Sequence, residues 1–470
     1  MATHLVTGGC GFVGRNMVQR LYRNGSNRVL FIDDLSVGTH PDTWLGQPLN
    51  SEHKEMRIYG ADERLVFIKA DLRDVLRELN KDPQYFQKRY GLDVVHFDDI
   101  FHFAAIVGGR SKIDGDPMLV AQDLSIDAEM FLYVCRNKPG RLLYPSSSAA
   151  YPIDLQTESN TLQLKETDID FKRMGEPDMT YGWSKLTGEF LAKIAASHYG
   201  VHVTCIRPFS GYGEDQDLSY PVPALAARAA RKENPFEVWG TGKQGRDFVH
   251  IDDVLDLTLL AMDKISDGRA INIGMGRLTS FLELIEVFSG FAGYKPNIKP
   301  LLDKPVGVHS RYCDMGWVEA NLGWKAKISI EEGMRRVYEA ALKKIRRMSR
   351  KDAKAQEEPL KVASLIAFPP RRCAFAANNP CLTSSALAPA PSSRVALRST
   401  TRRLLVRCTM RVLRSPSSVG RSSILRSSHA SSWTRPAAAV SWKAMISRCS
   451  TSPTGTHPAP GRRQRKPSPR

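Results

Sequence analysis

The chain has 470 residues and a formal net charge of +18, long enough for one large or two smaller folded units with a segment to spare. Residues 361–470 hold 20 Lys and Arg and no acid, leaving 47 of the 67 basic residues beside all 49 acidic ones, a net of −2, in the first 360. The overall basicity is therefore no argument that the body binds nucleic acid, and Cys10, Cys135, Cys205 and Cys313, widely spaced without a CxxC pair or a His cluster, argue against a disulfide framework and a metal site.

In chain order, "THLVTG" is an apolar run that ends in glycine, and "FVGRNMVQRLYRNG" sets Phe12, Met17, Val18, Leu21 and Tyr22 near one helical face before stopping at Gly25. "RVLFIDDLS", "RLVFIKADL" and "DIFHFAA" read as the second, third and fourth strands, and the helical "MLVAQDLSIDAEMFLYVCRN" leads to a fifth, "RLLYPSSSAAYP". The helix "TYGWSKLTGEFLAKIAASHYG" and the strand "VHVTCIRP" follow, then helical patterns in 220–233, 246–264, 280–293 and 329–347. This alternation predicts an α/β fold, a Rossmann-type doubly wound parallel sheet with a smaller C-terminal α/β subdomain. The division expected is residues 1–180 for nucleotide binding, with later segments returning to that sheet, and 181–348 for the remainder and the substrate lobe.

Residues 349–470 are expected to form a basic, disordered tail, with 20 Ser and 12 Pro after residue 360. Two readings stay open: a tail that touches nucleic acid or an acidic surface, and a read-through or out-of-frame extension. The second is favoured, because working basic tails cluster Lys and keep some acids. No signal-peptide pattern and no run of eighteen apolar residues occurs, so a soluble, reducing, cytoplasmic location without membrane contact is expected.

Gly8, Gly11 and Gly14 follow a strand and open a helix, the context in which backbone N–H groups and the positive helix end face a pyrophosphate; with spacing alone, a packing turn would explain them equally well. Asp33, nineteen residues after Gly14, ends the second strand where a carboxylate accepts ribose hydroxyls, and Asp34 follows with no Arg at either position to take a 2′-phosphate, favouring NAD over NADP. Tyr181 and Lys185 share a helix face at i and i+4, so the ammonium can stabilise a phenolate, and Ser146, Ser147 and Ser148 cluster at the end of a strand.

Taken together, Thr3 to about Lys344 resembles the extended short-chain dehydrogenase/reductase family of NAD-dependent nucleotide-sugar epimerases and dehydratases. "TGGCGFVG" is similar to its cofactor signature, including Phe12 and Val13; "DLRD" (Asp71, Leu72) to its adenine loop; and "HFAA" (Ala104, Ala105) to the strand end beside the nicotinamide. "YPSSSAAYP", "YGWSK" and "RPFSGYG" (Pro208, Ser210) resemble its Ser, Tyr/Lys and substrate-loop motifs, and "GRDFVHIDDV" resembles the segment whose Arg holds the nucleotide diphosphate. The resemblance implies Tyr181 as base, Lys185 on the nicotinamide ribose, and a catalytic hydroxyl at Ser147, or Ser148 under the other way of counting. It offers Arg246 and Arg311 for the diphosphate of a nucleotide-diphosphate sugar, and implies a homodimer packed through residues 117–137 and 180–199.

Within the family, dehydratases carry an Asp-Glu pair where this chain has Ser148, Ala149 and Ala150. GDP-mannose 3,5-epimerases and GDP-fucose synthases, whose Tyr-Pro ending this chain shares, use a Cys where Ala149 stands and a later His or Lys; here Asp217 is near that second position. What remains is chemistry that needs only Ser, Tyr and Lys. A 4-epimerase acting through a transient keto-sugar fits best, ahead of a dehydratase, a reductase or a 3,5-epimerase. A non-catalytic NAD-binding protein with a nucleic-acid-binding tail could have dispensed with Tyr181 or Lys185, and both are present.

Overall fold

The structure, a computed structural model, describes residues 1–108 and 110–365, with side chains placed at 1–108 and 113–347. Seven parallel strands form its centre: β1 (Ala2–Thr7), β2 (Asn27–Asp33), β3 (Leu65–Lys69), β4 (Asp99–His102), β5 (Arg141–Pro145), β6 (Val203–Pro208) and β7 (Asp267–Ile273), side by side in the order β7-β6-β5-β4-β1-β2-β3. The order reverses beside β1, which pairs with both β2 and β4, and this is where an open parallel sheet leaves a crevice at its carboxyl ends. A hairpin, Leu49–His53 and Met56–Tyr59, extends the β3 edge in antiparallel fashion. It was not anticipated, because its first strand, LNSEH, is exposed throughout and carries no apolar pattern.

Strand alternation divides the core in two. Val6, Phe31, Phe101 and Leu143 face one layer, with α1 (Phe12–Arg23) and a helix at Ile251–Lys264; Leu5, Leu30, Ile100 and Leu142 face the other, with α2 (Leu72–Lys81), α3 (Asp123–Asn137) and α4 (Met179–Tyr199). The stretch read as one long helix before β5 is broken: a short turn, Pro117–Val120, precedes α3. Helices α5 (Pro221–Ala230), α6 (Phe281–Phe291) and α7 (Ile330–Leu365) enclose a third core around Leu225, Phe288 and Val337, beside a small four-stranded sheet that includes Gly245–Arg246 and Ser310–Cys313. That is the smaller α/β lobe. The boundary expected at residue 348 falls inside α7; the rest of the expected tail, 366–470, lies outside the described residues. No helix among the described residues is long and apolar enough to cross a membrane.

Helix α4, 21 residues ended by Gly200 at φ 64°, is held against the sheet by a buried ion pair. Arg207 on β6 donates to both carboxylate oxygens of Glu189, Nε at 2.8 Å and Nη2 at 2.7 Å, and Ser146 Oγ donates to Glu189 Oε1 at 2.5 Å. Arg207 Nη1 also donates to Tyr151 Oη at 3.0 Å, whose hydroxyl donates to Asn272 Oδ1 at 2.7 Å. One residue earlier on α4, a Cβ at Gly188 would stand 1.8 Å from the Tyr144 hydroxyl, so this contact with β5 requires glycine. Glu189→Ala would leave Arg207 buried without its carboxylate and is expected to cost about 3–5 kcal/mol in denaturant unfolding; a loss below about 1 kcal/mol would mean that other contacts hold α4.

Candidate functional site

At the carboxyl ends of the strands lies a cavity of about 1130 Å³, lined by both the glycine loop and the start of α4. Gly8 takes φ +63°, and a Cβ there would come within 2.7 Å of the Phe103 and Ala104 backbone; a Cβ on Gly14 would come within 2.1 Å of Gly8 O. The loop is thus a cradle that side chains would fill. Gly11 precedes α1 without a side-chain cap, and no acid stands in the first turn, so its N–H groups, with Phe12 and Val13 on the cavity wall, are available to an anion.

Asp33 and Asp34 line the next part of the wall. Asp33 accepts backbone N–H groups from Cys10 at 2.9 Å and Leu35 at 2.8 Å; burial pushes its carboxyl up, and those donors oppose the shift. Asp71 and Leu72 follow at the start of α2, where Asp71 accepts the Arg73 N–H at 2.9 Å and the Arg73 guanidinium holds its carboxyl low. Ala104, Ala105 and Pro208 complete this part of the lining.

Ser147, Tyr181 and Lys185 meet at the other end of the same cavity. Ser147 Oγ accepts the Ala149 N–H at 3.1 Å, while Ser148 is buried in the following turn and does not line the cavity. Lys185 is 3 % exposed, with Nζ 5.8 Å from the centre of the Tyr181 ring and 5.4 Å from that of Tyr144. Burial disfavours the charged form, but Asp127, Asp123 and Tyr181 hold the ammonium above its ordinary range. Burial pushes the Tyr181 phenol up, against the pull of Lys185 and of a hydrogen bond from Ser147.

The residues expected to meet substrate are placed differently. Ser210, Arg246 and Arg311 are not among those lining the cavity. Ser210 pairs with Phe248 in a short parallel ladder. Arg246 and Arg311 are register partners on adjacent strands; Arg246 donates to Gly245 O at 2.7 Å and Val306 O at 3.2 Å, and Arg311 to Gln156 Oε1 at 2.6 Å and Asp178 Oδ2 at 2.9 Å.

Sequence reasoning passed over most of one wall, the loop from Glu214 to Tyr220. Arg15, directly after the third glycine, pins it by donating through Nε to Asp215 Oδ2 at 2.5 Å. Tyr220 lies near enough to Tyr181 to feel its charge, and burial above all pushes its phenol up to about 12. Asp217 lines the cavity too, yet it accepts the Ser219 N–H at 2.8 Å and its carboxyl is held low, so it stays ionised and is no proton donor. The loop has no periodicity, and only the adjacent "YG" marked its start.

A family model described as NAD dependent epimerase/dehydratase family matches residues 4–274. The crystal structure of UDP-glucose 4-epimerase with UDP-glucose from Thermotoga maritima superposes with a TM-score of 0.59 at 25% identity, covering 73% of this chain and 99% of that one. CDP-paratose 2-epimerase of Salmonella typhi is 26% identical over 364 residues, 71% of this chain and 98% of that protein. GDP-mannose 3,5-epimerase of Arabidopsis thaliana is 28% identical over 246 residues, 51% of this chain and 64% of that protein. These relatives rearrange different carbons, so likeness alone does not choose the reaction.

Proposed function

The chain belongs to the NAD dependent epimerase/dehydratase family, and within it we propose that the protein is a 4-epimerase of a nucleotide-diphosphate sugar. The observation that carries this reading is the convergence of Ser147, Tyr181 and Lys185 on the glycine-cradle cavity, with Ala149 buried in a turn and Asp217 ionised where other reactions need a further acid. The glycine cradle, the uncapped α1 terminus and the volume of the crevice suit a dinucleotide. Gly8, Gly11, Phe12, Val13 and Gly14 would hold its pyrophosphate, Asp33 and Asp34 its adenine ribose, Asp71 and Leu72 its adenine, and Ala104, Ala105, Pro208 and Lys185 its nicotinamide half. Bound NAD supplies a hydride acceptor and donor.

The protein's own residues then do three things. Lys185, a buried cation beside Tyr181, favours the phenolate, so Tyr181 can take the proton of the sugar hydroxyl as the hydride leaves the same carbon. Ser147 hydrogen-bonds the oxygen as it becomes a carbonyl. After the keto-sugar turns, Tyr181 returns the proton while hydride re-enters from the opposite face, and neither protons nor electrons are consumed. A nucleotide-diphosphate moiety would lie toward Arg246 and Arg311, which would have to exchange present partners for phosphate oxygens; Ser210 opens a short strand beside them, its N–H donating to Asp247 O at 2.9 Å.

We also propose a homodimer. Trp183 and Phe190, 43% and 48% exposed, lie two turns apart on α4, and Leu124 and Leu132, 43% and 48% exposed, lie about two turns apart on the neighbouring α3. Two such helices from each copy would bury this stripe against its equivalent.

With a panel of UDP-, GDP- and dTDP-sugars, the protein should interconvert one 4-epimeric pair without added cofactor and without net reduced nicotinamide. Tyr181→Phe should lose about 100-fold or more of kcat. Removing the cation in Lys185→Met raises the phenol's pKa, so the acid limb of kcat/KM should move to higher pH; a Tyr181→Phe enzyme of full activity, or an unmoved limb, would overturn the assignment. Light scattering should give a dimer that Trp183→Glu with Phe190→Glu converts to a monomer, and a monomeric wild type would contradict the interface.

A further inference from the structure

Beneath the Tyr181 and Lys185 end of the cavity lies a closed set of polar groups that the reaction above leaves unused. Asp127 on α3 is 2% exposed; its Oδ2 accepts the Tyr144 hydroxyl at 2.7 Å and its Oδ1 faces His102 Nε2 at 3.2 Å. The other ring nitrogen, Nδ1, meets Thr7 Oγ1 at 2.8 Å, and Thr7 Oγ1 also accepts the Ala104 N–H at 3.2 Å. With Thr7 on one side of the imidazole and Asp127 on the other, both ring nitrogens of His102 have a partner. The carboxylate is held by His102 and Tyr144 and stays ionised facing Lys185, whose Nζ sits 5.4 Å from the centre of the same Tyr144 ring.

We propose that Asp127 is a positioning residue that sets the redox preference of the bound cofactor, its negative charge offsetting the Lys185 ammonium so that a cationic nicotinamide ring can share that end of the cavity. The inference rests on the reading that places the nicotinamide beside Tyr181 and Lys185. An oxidised nicotinamide ring carries one positive charge and a reduced ring none, so a fixed charge in a site shielded from water discriminates between them. Lys185 alone would favour the neutral, reduced ring. Asp127 opposes that bias, which an enzyme that must begin each turnover with oxidised cofactor requires. The same carboxylate reinforces the ammonium on which Tyr181 depends, so one buried acid serves both proton transfer and hydride transfer.

The test uses the full chain. Wild type, Asp127→Asn and Tyr144→Phe are incubated with equal amounts of NAD⁺ and NADH until the bound cofactor has exchanged, freed of unbound nucleotide, and read for the reduced fraction by absorbance and extraction. Asp127→Asn should raise the bound NADH to NAD⁺ ratio by about tenfold or more, the scale of removing a unit charge screened to between its strength in water and its strength near a protein surface. Tyr144→Phe removes a hydrogen bond from the same carboxylate but keeps its charge, and should leave the ratio near that of wild type. Lys185→Met should move the ratio toward NAD⁺, and adding Asp127→Asn to it should bring the ratio back; this pair removes the two charges set against each other here, keeps Asp123 constant throughout, and decides the matter even where Asp127→Asn alone does not fold. An unchanged ratio in Asp127→Asn, an equal shift in Tyr144→Phe, or no return in the double variant would overturn this role and leave the catalytic reading standing. A wild type that retains neither nucleotide would overturn both.

Discussion

The arrangement depends on one buried ion pair. Glu189 and Arg207 join α4 to β6 in the interior, with Ser146 of the β5 end hydrogen-bonded to the same carboxylate. Two charges are buried at substantial desolvation cost, tolerable only because every arm has a partner. What the pair gives in return is register. It fixes α4 against the strand ends, and Lys185 and Tyr181, one and two turns earlier on that helix, are thereby aimed into the cavity beside Ser147. The Tyr144 hydroxyl against Gly188 sets how closely the helix can approach.

Once α4 is fixed, its chemistry follows from burial. Burial works against the Lys185 proton in that position, and the carboxylates that α3 supplies from beneath more than offset it. Tyr181 is in turn governed by opposed effects, burial raising its phenol and Lys185 lowering it. Binding a cationic nicotinamide would tilt that balance further toward the phenolate, so the base would be strongest when oxidised cofactor is in place.

Much of this was legible in the sequence because it is local. A strand, three glycines and a helix within fourteen residues specify a cradle, and Tyr181 with Lys185 follow from helical spacing; all expected cofactor positions lie on one cavity. The choice between Ser147 and Ser148 needed the turn itself, which carries Ser147 to the cavity wall and buries Ser148. Glu189 with Arg207, and Asp127 with His102, were not legible: they join elements through pairings that no spacing rule connects. Arg246 and Arg311 mark the limit of motif reading. Their strands are adjacent as register partners, but where each guanidinium points is decided by neighbours such as Asp178 and Gln156, which arrive from distant parts of the chain.

What separates the proposed reaction from its relatives is the fate of one hydrogen. If Tyr181 handles only the hydroxyl proton and the hydride returns to the carbon it left, a substrate labelled with deuterium at C4 should yield the epimer with its label intact, and the product made in deuterated water should carry no new label on carbon. Loss of the C4 label to solvent, or deuterium appearing at C3 or C5, would show that a carbon-bound proton is being exchanged by an acid or base this account does not contain, and would contradict it.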